Sequence, residues 1–217
     1  MAAREFADRA DAGRRLAERL GAYAGRGDVI VLGLPRGGVP VAAEVARSLP
    51  APLDVCVVRK LGVPGDEELA LGAIAAGGVL VLNDRVVSGL HLSDEAIAAV
   101  AAVERAELRR REQAYRGERP PADVAGRTVI VVDDGLATGA TMRAAVRAVR
   151  MRAPARVVVA VPVAAPETCA ALGPEVDEVV CALRPSDFRS VGGWYDDFAP
   201  TTDDEVRRCV TSFVSSS

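Results

Sequence analysis

The chain has 217 residues, of which 50% are apolar and 26% are charged. A chain of this length and composition can bury a large core, and we expect one domain over residues 1–217. The net charge of −3 gives no overall basic field, which argues against nucleic acid as a partner. No apolar run is long enough to cross a membrane, and residues 1–15 lack the apolar centre of a secretion signal. We therefore expect a cytoplasmic protein with neither nucleic acid nor membrane as a partner.

The first elements are predicted to be a helix, a strand and a second helix. Residues 4–23 carry apolar side chains at near-helical spacing, and residues 29–34 form the continuous apolar run of a buried parallel strand. A glycine-rich turn over 33–38 follows, and a helical pattern covers 39–48. A turn of this kind between a strand and a helix can bind a phosphate with its main-chain amides. It is not G-x-G-x-x-G, so it does not indicate a dinucleotide site.

A second buried strand is predicted over residues 53–58, ending in Arg59 and Lys60. Lys60 is the only lysine in a chain rich in arginine, which suggests that a compact point charge is needed there. The alternative is a solvated charge at a strand end. The polar stretch 61–68 is predicted to be a loop, and residues 69–82 a short hairpin.

A long helix is predicted over residues 94–116, with Ser93 as its N-cap. Residues 104–116 are dense in charges of both signs, which indicates a solvated face with i,i+4 pairs. The alternative is that the three arginines at 109–111 lie at a dimer seam.

The stretch 129–141 reads VIVVDDGLATGAT and carries the strongest functional signal. Its four β-branched residues predict a central strand, at whose carboxyl end Asp133 and Asp134 lie, where open α/β sheets bind ligands. Residues 135–141 are small or hydroxylated and lead into a helix over 142–152, whose free amides and dipole favour a phosphate. Two acids that face hydroxyl groups beside an anion cradle predict a site for a sugar phosphate.

The remaining elements complete an alternation of strands and helices. Further strands are predicted over 155–163 and 176–183, which gives a parallel α/β sheet of about five strands. The segment 184–200 then holds half of the chain's aromatic side chains. These aromatics either stack on a planar base or form a small satellite core. A capping box at residues 202–205 opens a final helix.

The stretch 129–141 resembles the PRPP-binding signature of the type I phosphoribosyltransferases, which use 5-phosphoribosyl pyrophosphate (PRPP). Gly135 is its one departure, since the family usually has an aliphatic residue there. The resemblance implies a Rossmann-like α/β fold with helices on both sides of the sheet and a core over about 28–183. It also implies a mobile lid in an insertion at about 61–120, and a hood made of residues 184–200 and the C-terminal helix.

The resemblance further implies transfer of the phosphoribosyl group from PRPP to a purine or pyrimidine base, with Mg²⁺ as cofactor and pyrophosphate as product. Asp133 and Asp134 would bind the ribose hydroxyls. The same two acids would hold Mg²⁺, either through water or through those hydroxyls. Together with Arg59 and Lys60 they form the implied catalytic set. The residues implied for pyrophosphate are Arg36, Gly37, Gly38, Arg59 and Lys60. The residues implied for the 5′-phosphate are Gly135, Ala137, Thr138, Gly139, Ala140 and Thr141. The residues implied for the acceptor are Trp194, Tyr195 and Phe198.

Ala137 makes the loop most similar to the adenine branch of the family, because the hypoxanthine–guanine branch has an aspartate that contacts the purine there. The acceptor base itself stays open. Two other activities fit the same motif: a regulatory protein that binds PRPP without transfer, and a hydrolase that releases ribose 5-phosphate. Glu67 or Glu68 in the lid is a candidate base, and a homodimer is expected.

Overall fold

A computed structural model describes residues 5–63, 66–75, 78–90 and 92–213. It contains a five-stranded parallel sheet and a three-stranded antiparallel sheet, with helices on both sides of the parallel sheet. The strands are β1 Val29–Gly33, β2 Leu53–Val55, β3 Val58–Val63, β4 Asp66–Ala75, β5 Val79–Leu82, β6 Thr128–Val132, β7 Arg156–Val163 and β8 Glu178–Leu183. The helices are α1 Arg9–Glu18, α2 Gly38–Ser48, α3 Asp84–Gly89, α4 Asp94–Arg116, α5 Ala140–Arg150, α6 Pro166–Leu172 and α7 Asp203–Ser212. The predicted α/β fold class is confirmed.

The parallel sheet has the strand order β2-β1-β6-β7-β8, so β6 is its central strand. Every residue of β1 and β6 is buried, as expected for strands that are covered on both faces. The two strands pair in parallel, with Val31 opposite Ile130. Their carboxyl ends therefore lie side by side at one edge of the sheet.

The helices that follow β1 and β6 cover opposite faces of the sheet. Helix α2 shares a hydrophobic cluster with Val31 and Ile130, whereas α5 shares a different cluster with Ile30 and Val129. The loops that leave β1 and β6 consequently diverge between these two strands. A divergence of this kind is the topological switch point at which open α/β sheets bind their ligands.

The region between β2 and α4 differs from the prediction. Arg59 and Lys60 do not end the second parallel strand, because β2 stops at Val55 and both residues lie in β3 of the antiparallel sheet. The continuous apolar residues 53–58 do not show that β2 ends at Val55, because Val57 is also buried. It packs into the core beneath the antiparallel sheet. The predicted loop over 61–68 is also wrong, because Leu61 is fully buried in β3.

The predicted hairpin over 69–82 is confirmed as the antiparallel pair β4–β5. Residues 64–65 and 76–77 lie outside the described part of the chain, as do the side chains of Glu67 and Glu68. The candidate base in the lid therefore stays a prediction.

Helix α4 begins as predicted, with the Ser93 hydroxyl accepting a hydrogen bond from the Ala96 amide at 3.2 Å. Along residues 104–116 the predicted i,i+4 pairs are present, as in Glu107 with Arg111, but the C-terminal end of the helix is buried. There Arg116 is 6% exposed and its Nε lies 2.8 and 3.0 Å from the two carboxylate oxygens of Asp54. This buried ion pair fixes the long helix to β2.

Helix α7 opens with the predicted capping box between Thr202 and Glu205. In the part of the chain that the structure describes, no helix has the length and apolarity to cross a bilayer.

Candidate active site

The site is built around Asp133 and Asp134, which directly follow the central strand β6. Both acids are half-buried, and the Asp134 amide donates to Asp133 Oδ1 at 2.9 Å. Burial raises the pKa of Asp133 well above its usual value, and the neighbouring Asp134 charge raises it further. Burial also raises the pKa of Asp134, against the lowering effect of Arg9. A ligand that brings hydroxyl donors or positive charge would relieve the cost of holding two carboxylates together.

The glycine-rich turn after β1 lies directly on this acid pair. A Cβ added to Gly37 would lie 1.9 Å from Asp134 Oδ2, and one added to Gly38 would lie 2.7 Å from the Asp133 Cα. Only glycine permits so close an approach of main chain to both acids. The structure therefore brings together the turn predicted to bind pyrophosphate and the acids predicted to bind ribose. The Arg36 side chain is half-exposed, lies after a cis Pro35–Arg36 peptide bond, and approaches Asp203 of α7 at 3.9 Å.

The loop predicted to bind the 5′-phosphate ends at the N-terminus of α5. Gly139 precedes the helix with φ of +74°, a left-handed conformation that favours glycine, and no described side chain caps the helix there. The first N–H groups of a helix lack intrahelical partners, so those around Ala140 and Thr141 are available to an anion. This end of α5 begins two residues earlier than predicted, which places both residues in its first turn.

Thr168 of α6 contacts this loop through its hydroxyl and its methyl group. The sequence analysis did not predict this contact. Its hydroxyl donates to the Ala137 carbonyl at 2.5 Å. Its Cγ2 would lie 2.9 Å from a Cβ on Gly139. Thr168 thus fixes the loop at Ala137 and Gly139. No pattern in the sequence around Thr168 indicates this contact.

Gly135 departs from the family pattern for a reason that the structure makes visible. A Cβ at this position would lie 2.4 Å from Val191 Cγ1. Val191 belongs to the hood, which we define as residues 184–200. The hood therefore fills the space that the usual aliphatic side chain would occupy.

Lys60 and Arg59 point in different directions, because successive side chains of a strand face opposite sides. Lys60 lines a cavity of about 240 Å³ together with Thr138 of the phosphate loop. Arg59 instead pairs with Glu104 of α4 at 2.6 Å. Of the two predicted cations, only Lys60 shares a cavity with the loop predicted for the 5′-phosphate, and the pyrophosphate roles of Lys60 and Arg59 both stay predictions.

The aromatic side chains of the hood form a satellite core, which was one of the two alternatives. Tyr195 is 1% exposed, packs against Phe6 and Phe198, and donates from its hydroxyl to the Asp134 carbonyl at 2.6 Å. Its ring has no free face on which a base could stack. Trp194 and Phe198 are only partly buried, so their acceptor role stays a prediction.

The sequence model of the phosphoribosyl transferase domain matches residues 4–171, which is well over half of the chain. The chain belongs to the phosphoribosyl transferase domain family. This assignment agrees with the acid pair, the two amide-rich turns and the parallel sheet that aligns them, and the fold is that of the type I phosphoribosyltransferases.

The similar proteins include one from Mycobacterium tuberculosis H37Rv named "Putative phosphoribosyl transferase Rv0571c", which is 52% identical over 201 residues. That alignment covers 93% of this chain but only 45% of the relative, so the chain spans about half the length of that protein. The crystal structure of TT1426 from Thermus thermophilus is 47% identical, with a TM-score of 0.87 over 96% of this chain and 99% of the other. A Neisseria gonorrhoeae protein that is 16% identical, with a TM-score of 0.51, shows a shared fold alone.

This phosphoribosyl transferase domain has a further charged residue at the site that the sequence analysis missed. The Nε and Nη2 atoms of Arg9 both lie 2.9 Å from Asp134 Oδ2. Arg9 is on the N-terminal helix, more than a hundred residues from the signature, so the motif gives no hint of the contact.

The family implies Mg²⁺, and the donor set of the site can be compared with what that ion requires. The described residues contain no group of three or more potential ligand side chains from His, Cys, Asp and Glu. Mg²⁺ commonly keeps several waters and binds one or two carboxylates together with substrate phosphates. Asp133 and Asp134 therefore fit a Mg²⁺ ion that is shared with a phosphorylated ligand.

Proposed function

We propose that this chain transfers the 5-phosphoribosyl group from PRPP to a purine or pyrimidine base and releases pyrophosphate. The observation that carries the proposal is the contact of the Gly37 turn with Asp134, where an added Cβ would lie 1.9 Å from the carboxylate. This contact places an amide-rich turn against the acid pair at the sheet's switch point. The N-terminus of α5 follows the same acids along the chain, only a few residues later.

The proposed binding mode divides PRPP among three elements. Asp133 and Asp134 accept hydrogen bonds from the ribose hydroxyls, while the amides of residues 137–141 hold the 5′-phosphate with help from the α5 dipole. The amides of residues 36–38 and the Lys60 ammonium group bind the pyrophosphate. Three anchors on one rigid sheet edge fix the anomeric carbon before an acceptor approaches, which lowers the entropic part of the barrier.

The chemistry needs positive charge on the sugar ring and a stabilised leaving group. As the bond between the anomeric carbon and pyrophosphate breaks, the ring gains oxocarbenium character, which the nearby carboxylates of Asp133 and Asp134 favour electrostatically. The amides of the glycine-rich turn meet the growing negative charge on pyrophosphate. When bound, Mg²⁺ would supply further positive charge there through the phosphate oxygens.

The acceptor is proposed to approach beneath the hood, where Val191 lies against the Gly135 position. Ala137 offers no carboxylate to a 6-oxopurine, so a base of another kind fits this loop better. The predicted homodimer and the cytoplasmic location remain part of the proposal.

An assay of pyrophosphate release tests the activity. The protein is incubated with PRPP and Mg²⁺, alone and with each member of a panel of purine and pyrimidine bases. We expect release that depends on one base or a small group of bases. Release at the same rate without any base would show a hydrolase instead. Protection against thermal unfolding by PRPP without any release would show a regulatory PRPP-binding protein.

A further inference from the structure

Arg9 is fixed in the site by hydrogen bonds from Nε, Nη1 and Nη2 and by packing against an aromatic ring. Besides its two bonds to Asp134 Oδ2, its Nη1 donates to the Ala199 carbonyl at 2.7 Å. The guanidinium carbon lies 4.0 Å from the ring centre of Phe198. The side chain is only 12% exposed. Arg9 is therefore a built-in part of the site and not a mobile surface charge.

The same side chain contacts all three parts that the proposed reaction has to align. Its Nε would lie 3.1 Å from a Cβ on Gly37, so the glycine-rich turn passes directly over the Arg9–Asp134 ion pair. Asp134 is one of the two ribose-binding acids, and Phe198 and Ala199 lie in the hood. A single arginine thus connects the pyrophosphate turn, the acid pair and the hood.

Arg9 occupies only one oxygen of Asp134. Both of its donors converge on Oδ2, and among the described residues no hydrogen bond reaches Oδ1. Two N–H groups of one planar guanidinium hold Oδ2 in place, and a fixed Oδ2 sets the rotation of the carboxylate about its Cβ–Cγ bond. One oxygen is consequently held by the protein, while the other is available to a ligand.

We propose that Arg9 is a positioning residue for the ribose of PRPP: it fixes the orientation of Asp134 and thereby links the ribose site to the hood. The proposal rests on the proposed function. Arg9 is not a side chain that merely fills the ligand site and leaves when PRPP binds. Its hydrogen bond to the Ala199 carbonyl and its packing on Phe198 keep the guanidinium in place independently of Asp134.

A double-mutant cycle tests the proposal, with the dissociation constant of PRPP in the presence of Mg²⁺ measured by calorimetry. The variants are Arg9→Met, Asp134→Asn and the combination of the two. We expect Arg9→Met to weaken binding about tenfold or more, the effect of losing a charge-assisted hydrogen bond. In the Asp134→Asn background the same change should alter binding by less than about twofold, because Arg9 acts through Asp134.

The conservative variant Arg9→Lys separates positioning from charge alone. It keeps the charge but cannot hold Asp134 and the Ala199 carbonyl together, so we expect it to recover only part of the affinity. If Arg9→Met does not fold, the same cycle is run with Arg9→Lys. The matched control is Arg14→Met on the same helix, whose side chain is 58% exposed, and we expect binding within about twofold of the unmodified protein.

Three results would overturn the proposal, and they are distinguishable. If the unmodified protein binds PRPP but the effects of Arg9→Met and Asp134→Asn simply add, Arg9 has only a general structural role. If Arg9→Lys binds as tightly as the unmodified protein, charge alone is sufficient and positioning is refuted. If the unmodified protein binds no PRPP, the proposed function fails and this inference fails with it.

Discussion

Replacement of Asp133 and Asp134 together by asparagine is expected to abolish PRPP binding while the chain remains folded. Asparagine keeps the shape of each side chain and one acceptor oxygen in each, but it removes both charges. The oxygen kept at position 133 can still accept the hydrogen bond from the amide of residue 134. Loss of two charged acceptors for ribose hydroxyls should weaken binding by at least about a hundredfold. Calorimetric titration with PRPP and Mg²⁺ measures the loss, and circular dichroism confirms the fold.

The stability of the single variant Asp133→Asn provides an internal check. Because the folded pKa of Asp133 is raised, its effect favours the folded state at low pH and is lost as pH rises from about 4 through the raised pKa. Removal of the ionised carboxylate should therefore leave the melting temperature at neutral pH equal or higher.

The control double variant, Asp123→Asn with Asp204→Asn, removes the same charge outside the site and should bind PRPP normally. Unchanged affinity in the Asp133/Asp134 double variant would refute the assignment of the site.

Substitution of Arg116 by methionine is expected to produce the largest loss of stability. Arg116 is 6% exposed and binds Asp54 with Nε, Glu112 with Nη1 and the Val55 carbonyl with Nη2. Its removal leaves the buried Asp54 carboxylate without its charged partner, which costs about 3–5 kcal/mol in comparable buried pairs. Urea denaturation measures the change in the free energy of unfolding.

Two further variants make this result specific. Arg110→Met removes an arginine of the same helix that is 61% exposed, and it should change stability by no more than about 0.5 kcal/mol. Adding Asp54→Asn to Arg116→Met should recover part of the loss, because the buried Asp54 charge is then removed together with its partner. Equal losses for Arg110→Met and Arg116→Met would contradict the structural role given to the buried pair.

The parallel sheet and its ligand-binding edge could be predicted from the sequence because they depend on local patterns. Continuous β-branched runs give strands that are buried on both faces, and acids or glycines at their ends mark the edge. The stretch 129–141 combines these signals within thirteen consecutive positions. The predicted acid pair and the predicted glycine-rich turn accordingly meet in the structure.

The errors and omissions come from contacts between distant parts of the chain. Val57 continues the apolar run of β2 but packs under a different sheet, so the composition of the run does not show where the strand ends. Arg116 resembles its exposed neighbours in sequence, and only the fold brings it against Asp54. Arg9 lies on the N-terminal helix and reaches Asp134 through tertiary packing, which no local pattern encodes.

A crystal structure of the protein with PRPP and Mg²⁺ tests the central claim most directly. We expect ribose hydroxyls within hydrogen-bond distance of the Asp133 and Asp134 carboxylates. We expect the 5′-phosphate on the amides at the start of α5 and the pyrophosphate on the turn at residues 36–38. PRPP bound at another place, or bound with both carboxylates facing away from the ribose, would contradict the central claim.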